Sequence, residues 1–375
     1  MRNRSKRRQM GTEVEAKEYV RLPIFLEQGF LFLKRDVLEK RICCLCGTCA
    51  AFCDKIKISE NELKPELVEE YDTICGMCYA FCPRTFLPLS EIEERIFGEE
   101  EARKKEEGDV LGVYRSCYAV RSKKGDIKGQ DGGAVTSLLA YALEEGIIDS
   151  AVITTTREDG EWKPIPKVAK NYEELKEGAG TKYTIYPGVV GIKEAMEAGC
   201  ENIGFVGLPC QIQGLRKVQT AEQPYEVGKE RIKLLIGLFC MENFKEELLD
   251  FVKKKVSLDL ERVRKFDIKG KEFLVYDEEG KVYAIALDEI KEYESEGCSV
   301  CMDYTAELAD ISVGSVGSED GWSTVFARTE KGEEIVKGAL EEGYVEVKEI
   351  EDKGLGLIRR LGERKRRRGE GLLKT

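Results

Sequence analysis

RICCLCGTCAAFCDK (41–55) and YDTICGMCYAFCPRT (71–85) are one pattern written twice. The first run spaces Cys43, Cys46, Cys49 and Cys53 as C-x2-C-x2-C-x3-C. The second repeats it at a constant offset: Cys46 maps to Cys75, Cys49 to Cys78 and Cys53 to Cys82, with Pro83 after the last cysteine. Three thiolates two residues apart can wrap one face of a metal–sulfide cubane in a single tight turn. The fourth cysteine lies too far along the chain to close the same core, so it ligates the other one. This crossing predicts one cluster on Cys43, Cys46, Cys49 and Cys82 and a second on Cys53, Cys75 and Cys78. The position equivalent to Cys43 in the second run is Asp72, which either supplies a hard oxygen ligand or leaves that cluster one iron short, as [3Fe-4S] in place of [4Fe-4S].

The doubled run with its trailing proline is the bacterial ferredoxin arrangement. Zinc and disulfides are the competing uses of cysteine. A zinc site asks for four ligands, usually as two well-separated C-x2-C pairs, which suits this spacing less well. Gly47 and Gly76 stand where the backbone must bend close to a cluster. Cys44 has the wrong spacing for a ligand and reads as packing or a spare thiol.

The 375 residues are enough for two or three domains. Charged residues make up 35% and the formal net charge is -11, which argues against nucleic acid as a partner. Of 14 cysteines, 8 fall between residues 43 and 82; thiols clustered in this way are metal ligands and imply a reducing, cytoplasmic setting. Histidine is absent, which removes the commonest general base and argues against triad hydrolysis and His–zinc chemistry. Electron and hydride transfer need none. No apolar run reaches 18 residues, so no membrane span is expected, and the basic Met1–Arg8 lacks the apolar core of a signal peptide.

Along the chain, residues 1–35 read as a charged tail followed by a short apolar segment (Leu22–Leu26, Phe30–Leu33) that packs on the cysteine module or docks a partner. Residues 36–98 form the module, closed by a helix over Ser90–Phe97 with Ser90 as N-cap and Gly98 as its stop. The charge run 99–110 reads as a solvated helix or linker. From residue 111 the pattern becomes strand (Cys117–Val120), glycine loop (129–133), helix, strand (Ala151–Thr155), an α/β unit. Gly132 and Gly133 open that helix, and a helix N-terminus with nearby hydroxyls such as Thr136 suits a phosphate. A second glycine-rich stretch carries Thr181, Lys182 and Tyr183; its bland reading is a surface turn. Residues 331–375 contain an amphipathic helix (Glu334–Leu340) and a basic tail, Glu363–Arg368, of the kind that is usually solvated.

Two continuous apolar strands, 202–209 and 234–239, each deliver a cysteine, Cys210 and Cys240, and a later C-x2-C supplies Cys298 and Cys301. Active sites of α/β folds gather at strand carboxyl ends. These four thiols are candidates for a third cubane, against the alternatives of core cysteines or a four-thiolate zinc site. Cys117 and Cys200 read as structural. Cubanes carry one electron and organic hydride carriers deliver two, so a chain joining them needs a flavin in the α/β domain. No G-x-G-x-x-G opens a Rossmann unit, so NAD is not favoured.

GQDGGAVTSLLAYALEEGIID (129–149), GTKYTIYPG (180–188), FVGLPCQIQGLRKVQ (205–219) and CSVCMDYTAELADISVGSVGSEDGWSTVFAR (298–328), in this order, resemble the family of coenzyme F420 hydrogenase/dehydrogenase beta subunits over about residues 110–330. The resemblance implies an α/β (α+β) chain with an N-terminal two-cluster ferredoxin-like domain fused to an FAD-binding domain at 111–330. It also implies a [4Fe-4S] cluster on Cys210, Cys240, Cys298 and Cys301, and hydride exchange with coenzyme F420. The fused module is similar to that of the input subunit of F420H2 dehydrogenase, which feeds a membrane-bound partner complex from the cytoplasmic side. Related chains serve F420-reducing hydrogenase, formate dehydrogenase and F420-dependent sulfite reductase. On this reading FAD contacts come from Gly132, Gly133, Thr136, Thr181, Lys182 and Tyr183, and Lys123, Arg216 and Trp322 are candidates to meet F420 and its acidic tail. Catalysis would be positioning and tuning of potential, with no acid–base residue. The competing classes are an electron-transfer module without its own substrate and a zinc-held scaffold.

Overall fold

The computed structural model describes residues 29–59, 62–69, 75–105, 108–127, 129–157, 159–222 and 225–373. Asp72 and the Leu22–Leu26 half of the apolar segment lie outside them. The cysteine module holds a two-stranded antiparallel ribbon, β1 (Ile56–Ile58) and β2 (Pro65–Leu67). Its equivalent short helices are α1 (Thr48–Ala51) and α2 (Met77–Phe81), one per run, followed by α3 (Leu89–Phe97). Gly47 takes φ +88 at the start of α1, as the bend requires, whereas Gly76 at the start of α2 has φ -108 and needs no glycine. Phe30 and Leu33 pack with Val37 and Ile56 against Cys49, Cys78 and Cys82, so this part of the apolar segment serves the module's own core. The cap of α3 is Pro88 with no side-chain bond, and Ser90 sits inside the first turn; Gly98 does end the helix, at φ +85. Lys105 closes the charge run inward, on Glu93 (2.6 Å) and Glu307 (3.4 Å).

The chain then lays down β3 (Ser116–Ser122), α4 (Ala134–Glu144), β4 (Ser150–Thr156), β5 (Pro164–Ala169), β6 (Ile203–Gly207) and α5 (Pro209–Thr220). Next come β7 (Ile232–Leu238), α6 (Glu247–Val256), β8 (Val263–Lys269), β9 (Glu272–Asp277), β10 (Val282–Ala286) and β11 (Ile311–Gly314). It finishes with β12 (Ser323–Ala327), α7 (Glu330–Glu341), β13 (Val345–Glu349) and α8 (Asp352–Leu373). Eight strands form one mixed sheet in the order β13-β3-β12-β11-β7-β6-β4-β5. Its middle, β11-β7-β6-β4, is parallel, and antiparallel pairs flank it on both sides. Apolar runs such as Leu234–Ile236 suit a parallel strand covered on both faces.

The strand–loop–helix–strand unit is present but is not a local pair: four strands separate β3 from β4. β13 joins β3, so the sheet continues past residue 330. Leu138, Leu139, Ile335 and Val336 cover one face, and Ile192, Ile212, Leu215 and Phe205 the other. A separate three-stranded antiparallel sheet, β10-β9-β8, packs with α6 around Phe244, Phe266, Phe273 and Leu248. The C-terminal basic stretch is not a solvated tail. It belongs to α8, which buries Ile358 and Lys365.

Candidate functional site: buried thiols beside two glycine loops

Cys43, Cys46, Cys49 and Cys82 line one cavity, together with Cys44, Leu45 and Gly47. The last of the four comes from the other run, which is the crossing the spacing predicts. Burial first, then the neighbouring Cys44 and Cys82, pushes the Cys43 thiol up to about 12. Burial and the flanking Cys43, Cys82 and Cys78 raise Cys49 well above its ordinary value. Cys78 is driven to about 12 by burial, then by Cys53 and Cys75, and Cys53 is raised by burial with Cys75 beside it. All of these cysteines are free thiols. Among the described residues, no three His, Cys, Asp or Glu side chains converge on one point as a single ion requires.

The third group assembles at the carboxyl edge of the parallel strands. β6 ends at Gly207, and Pro209 and Cys210 start α5, with the Gln211 side chain accepting from the Leu208 amide at 2.8 Å. β7 ends at Leu238; two residues on, the Cys240 amide donates to the Tyr304 carbonyl at 2.9 Å. Cys298 and Cys301 close a tight turn (Cys301 N–H to Cys298 O, 3.1 Å). Burial carries Cys240 to about 12, against the pull of Lys365. Cys301 is equally buried, yet Lys365 and Arg84 beside it bring its thiol below the usual value.

Spacing did not point to Cys44. Cys210 first, then Cys46, holds its thiol well below the ordinary thiol range despite burial. Cys44 therefore stands between the first and third groups. The Cys43–Cys44 doublet is the only trace of this in the sequence, and it does not name the partner.

The module is locked to the α/β domain at this point. Lys217 of α5 is buried and donates to the carbonyls of Cys82 (2.6 Å) and Phe86 (2.6 Å) and to Thr85 Oγ1 (3.1 Å). Burial pushes its ammonium down to about 8. The Val189 amide donates to Cys46 O at 3.0 Å, and Arg41 pairs with Glu296 at 2.6 Å. Gly297 is needed there, since a Cβ would lie 2.2 Å from the Cys43 carbonyl oxygen.

The two glycine loops meet at the same edge. Gln130 joins them: its Oε1 accepts from the Thr181 amide (3.4 Å), its Nε2 donates to Phe266 O (3.2 Å), and Lys265 holds its carbonyl at 3.0 Å. Gly133 is the left-handed N-cap of α4, and Thr136 is buried in the first turn. Gly132 is required by packing, because a Cβ would meet Val120 O at 2.5 Å and the Ser323 amide at 2.7 Å. Lys182 turns back on its own loop, donating to the carbonyls of Gly178, Ala179 and Gly180 (3.0–3.1 Å), and burial brings it to about 8. Tyr183 packs edge-on against Phe273 at 5.6 Å. None of these six lines the cavity of about 1190 Å³ that opens beside Cys43, Leu45 and Gly297.

Of the three residues matched to F420, Trp322 lies between Arg121 (4.6 Å) and Lys348 (4.2 Å), and Lys123 is exposed at the end of β3. Arg216 is a correction. It is buried, paired with Asp310 at 2.9 Å and donating to Leu308 O at 2.8 Å, so its charge is neutralised inside the protein.

Residues 117–193 match the family "Coenzyme F420 hydrogenase/dehydrogenase, beta subunit N-term" and residues 200–353 its C-terminal counterpart. The beta subunit of the coenzyme F420 hydrogenase of Methanothermobacter thermautotrophicus is 47% identical over 70% of this chain and 94% of its own. The chain belongs to the family of coenzyme F420 hydrogenase/dehydrogenase beta subunits. The F420H2 dehydrogenase of Methanosarcina mazei has a subunit that is 32% identical over 88% of this chain and 91% of its own, a span too long to omit the cysteine module. A chain of the F420-reducing [NiFe] hydrogenase complex from Methanosarcina barkeri has the same fold, with TM-score 0.68 at 40% identity over 71% of this chain and 93% of that one. Among the described residues no helix is long and apolar enough to cross a membrane.

Proposed function

We propose that this family member is the F420-facing, FAD-bearing iron–sulfur subunit of an electron-transfer complex, of the F420H2 dehydrogenase type. Hydride from reduced F420 would reach FAD, and single electrons would leave through [4Fe-4S] clusters to a partner subunit. The observation that carries the reading is the shared cavity of Cys43, Cys46, Cys49 and Cys82. A cubane gives each thiolate its own iron, so it asks for thiols around a volume and not around a point. Buried thiols with raised proton affinity also need a cationic core before they can ionise. Cys53, Cys75 and Cys78 would hold the second cluster with Asp72 at the fourth position, and Cys210, Cys240, Cys298 and Cys301 the third. Cys44, touching Cys46 and Cys210, supports a short path between the first and third.

For FAD, the first-turn amides of α4 have no intrahelical acceptor and face the pyrophosphate best. Lys182 adds a positive charge beside the same loops, while Gly132 shapes the loop through its packing. Trp322, with Arg121 and Lys348 over its ring, remains the proposed F420 contact, together with Lys123. The complex would sit in the cytoplasm, reaching a membrane only through a partner.

The test is anaerobic purification with iron and flavin quantitation, then F420H2 oxidation with an artificial acceptor. Iron and FAD together with turnover support the reading. Iron without flavin makes the chain a plain electron-transfer module, and colourless protein makes it a zinc-held scaffold. The 47% identity to the beta subunit of a hydrogenase supports a second reading, in which the same route runs towards F420 reduction. Affinity capture of the native complex decides between them, through the presence or absence of hydrogenase subunits.

A further inference from the structure

The C-terminal helix α8 lies almost wholly past the family match, which ends at residue 353. It nevertheless covers the third thiol group. Gly369 lets it sit on the Cys298–Cys301 turn, where a Cβ would meet Met302 Cγ at 2.6 Å and the Val300 and Cys301 carbonyl oxygens at 3.3 Å. Arg368 holds Glu242 at 2.7 Å and donates to Met241 O at 3.0 Å, beside Cys240. Between these contacts Lys365 is 1% exposed, and its Nζ donates to the Cys240 carbonyl.

A buried ammonium is costly unless an anion faces it. Among the described residues Lys365 makes no ion pair, and its ammonium sits at Cys240 on the helix that covers the Cys298–Cys301 turn. Tying a helix to a carbonyl does not require a full charge in the interior. Facing thiolates does.

We propose that Lys365 sets the reduction potential of the third cluster: its ammonium, pinned at the Cys240 carbonyl by α8, offsets the negative charge of the thiolate-bound core and makes its one-electron reduction easier. The inference rests on the proposed ligand set Cys210, Cys240, Cys298 and Cys301. The step concerned takes one electron from reduced flavin, with no bond made or broken. Lys365 is a positioning residue in this sense, since it acts on the cluster and not on substrate.

The experiment is an EPR-monitored redox titration of the full-length chain purified without oxygen, with iron content measured in parallel. The signal of the third cluster is the one lost in Cys298→Ser. Lys365→Met and Lys365→Gln are expected to keep their iron and to lower the equilibrium constant for reducing that cluster at least tenfold, about 59 mV for one electron. Lys365→Arg should stay at the wild-type potential, as should Arg359→Met, an exposed change on the same helix. If Met costs the cluster, the Gln variant gives the reading. An unmoved potential in a neutral variant that keeps the cluster overturns the proposal, as does loss of the cluster in both. A Cys298→Ser protein with undiminished iron and signals would instead overturn the ligand set on which the inference stands.

Discussion

Cys82 shares a cavity with Cys43, Cys46 and Cys49 although it belongs to the other run, and Cys53 stands with Cys75 and Cys78. Single substitutions separate this crossing from a run-by-run arrangement. Cys82→Ala should remove the same EPR signal as Cys46→Ala, with loss of about a third of the iron, while Cys53→Ala should remove the signal lost in Cys78→Ala. If Cys82→Ala matched Cys78→Ala instead, each run would close its own cluster. Glu307 gives a second prediction at this scale. It is 3% exposed, and burial, then the nearby Asp303, raises its carboxyl to about 7, against the pull of Lys105, Arg366 and Arg328. The folded chain thus holds this proton more tightly than the unfolded one. The stability it contributes is fully present below the unfolded value of 4.5 and is lost as pH rises through about 7. The difference in Tm between Glu307→Gln and wild type should therefore move in favour of the Gln variant between pH 5 and pH 8; a difference that stays flat or moves the other way refutes the assignment.

At the scale of elements, α5 does two jobs. Its first residues carry Cys210 off the end of β6, and one face of it grips the module through Lys217. Lys217→Met would remove the ammonium that bonds the Cys82 and Phe86 carbonyls and Thr85 Oγ1, at a cost of about 1–3 kcal/mol. Hydrogen exchange should then rise around residues 82–86 and 189–190 before it rises in β6 or β7. Uniform loss of protection would contradict a local clamp. Gly297→Ala should cost about 1–3 kcal/mol by overpacking against the Cys43 carbonyl, whereas Gly125→Ala, with nothing within 4 Å of its Cβ, should leave Tm unchanged. Equal effects in urea titrations would show that the close approach at Gly297 is not constraining.

In the molecule as a whole, what could be read from the sequence was what depends on local spacing. The cavity shared by Cys43, Cys46, Cys49 and Cys82, the strand-borne Cys210 and Cys240 and the glycine-opened α4 follow from short-range periodicity and turn chemistry. What escaped depends on distant pairings. β3 and β4 look like neighbours in a local unit, but β12, β11, β7 and β6, all from later in the chain, lie between them. Arg216 looks like a free cation until Asp310 is placed beside it. Lys365 looks solvated in a basic run, and only packing 125 positions away against Cys240 buries it. Cys44 fails the spacing rule of its own run and finds its contact in Cys210. A two-electron donor and one-electron carriers are proposed to meet at the carboxyl edge of the parallel strands. The most direct measurement is iron and FAD per chain in oxygen-free protein, followed by stopped-flow mixing with reduced F420. The account predicts both cofactors in the same polypeptide, with flavin bleaching first and cluster reduction following it. Clusters that reduce with no flavin present, or a flavin that reduces beside clusters that stay oxidised, would contradict it.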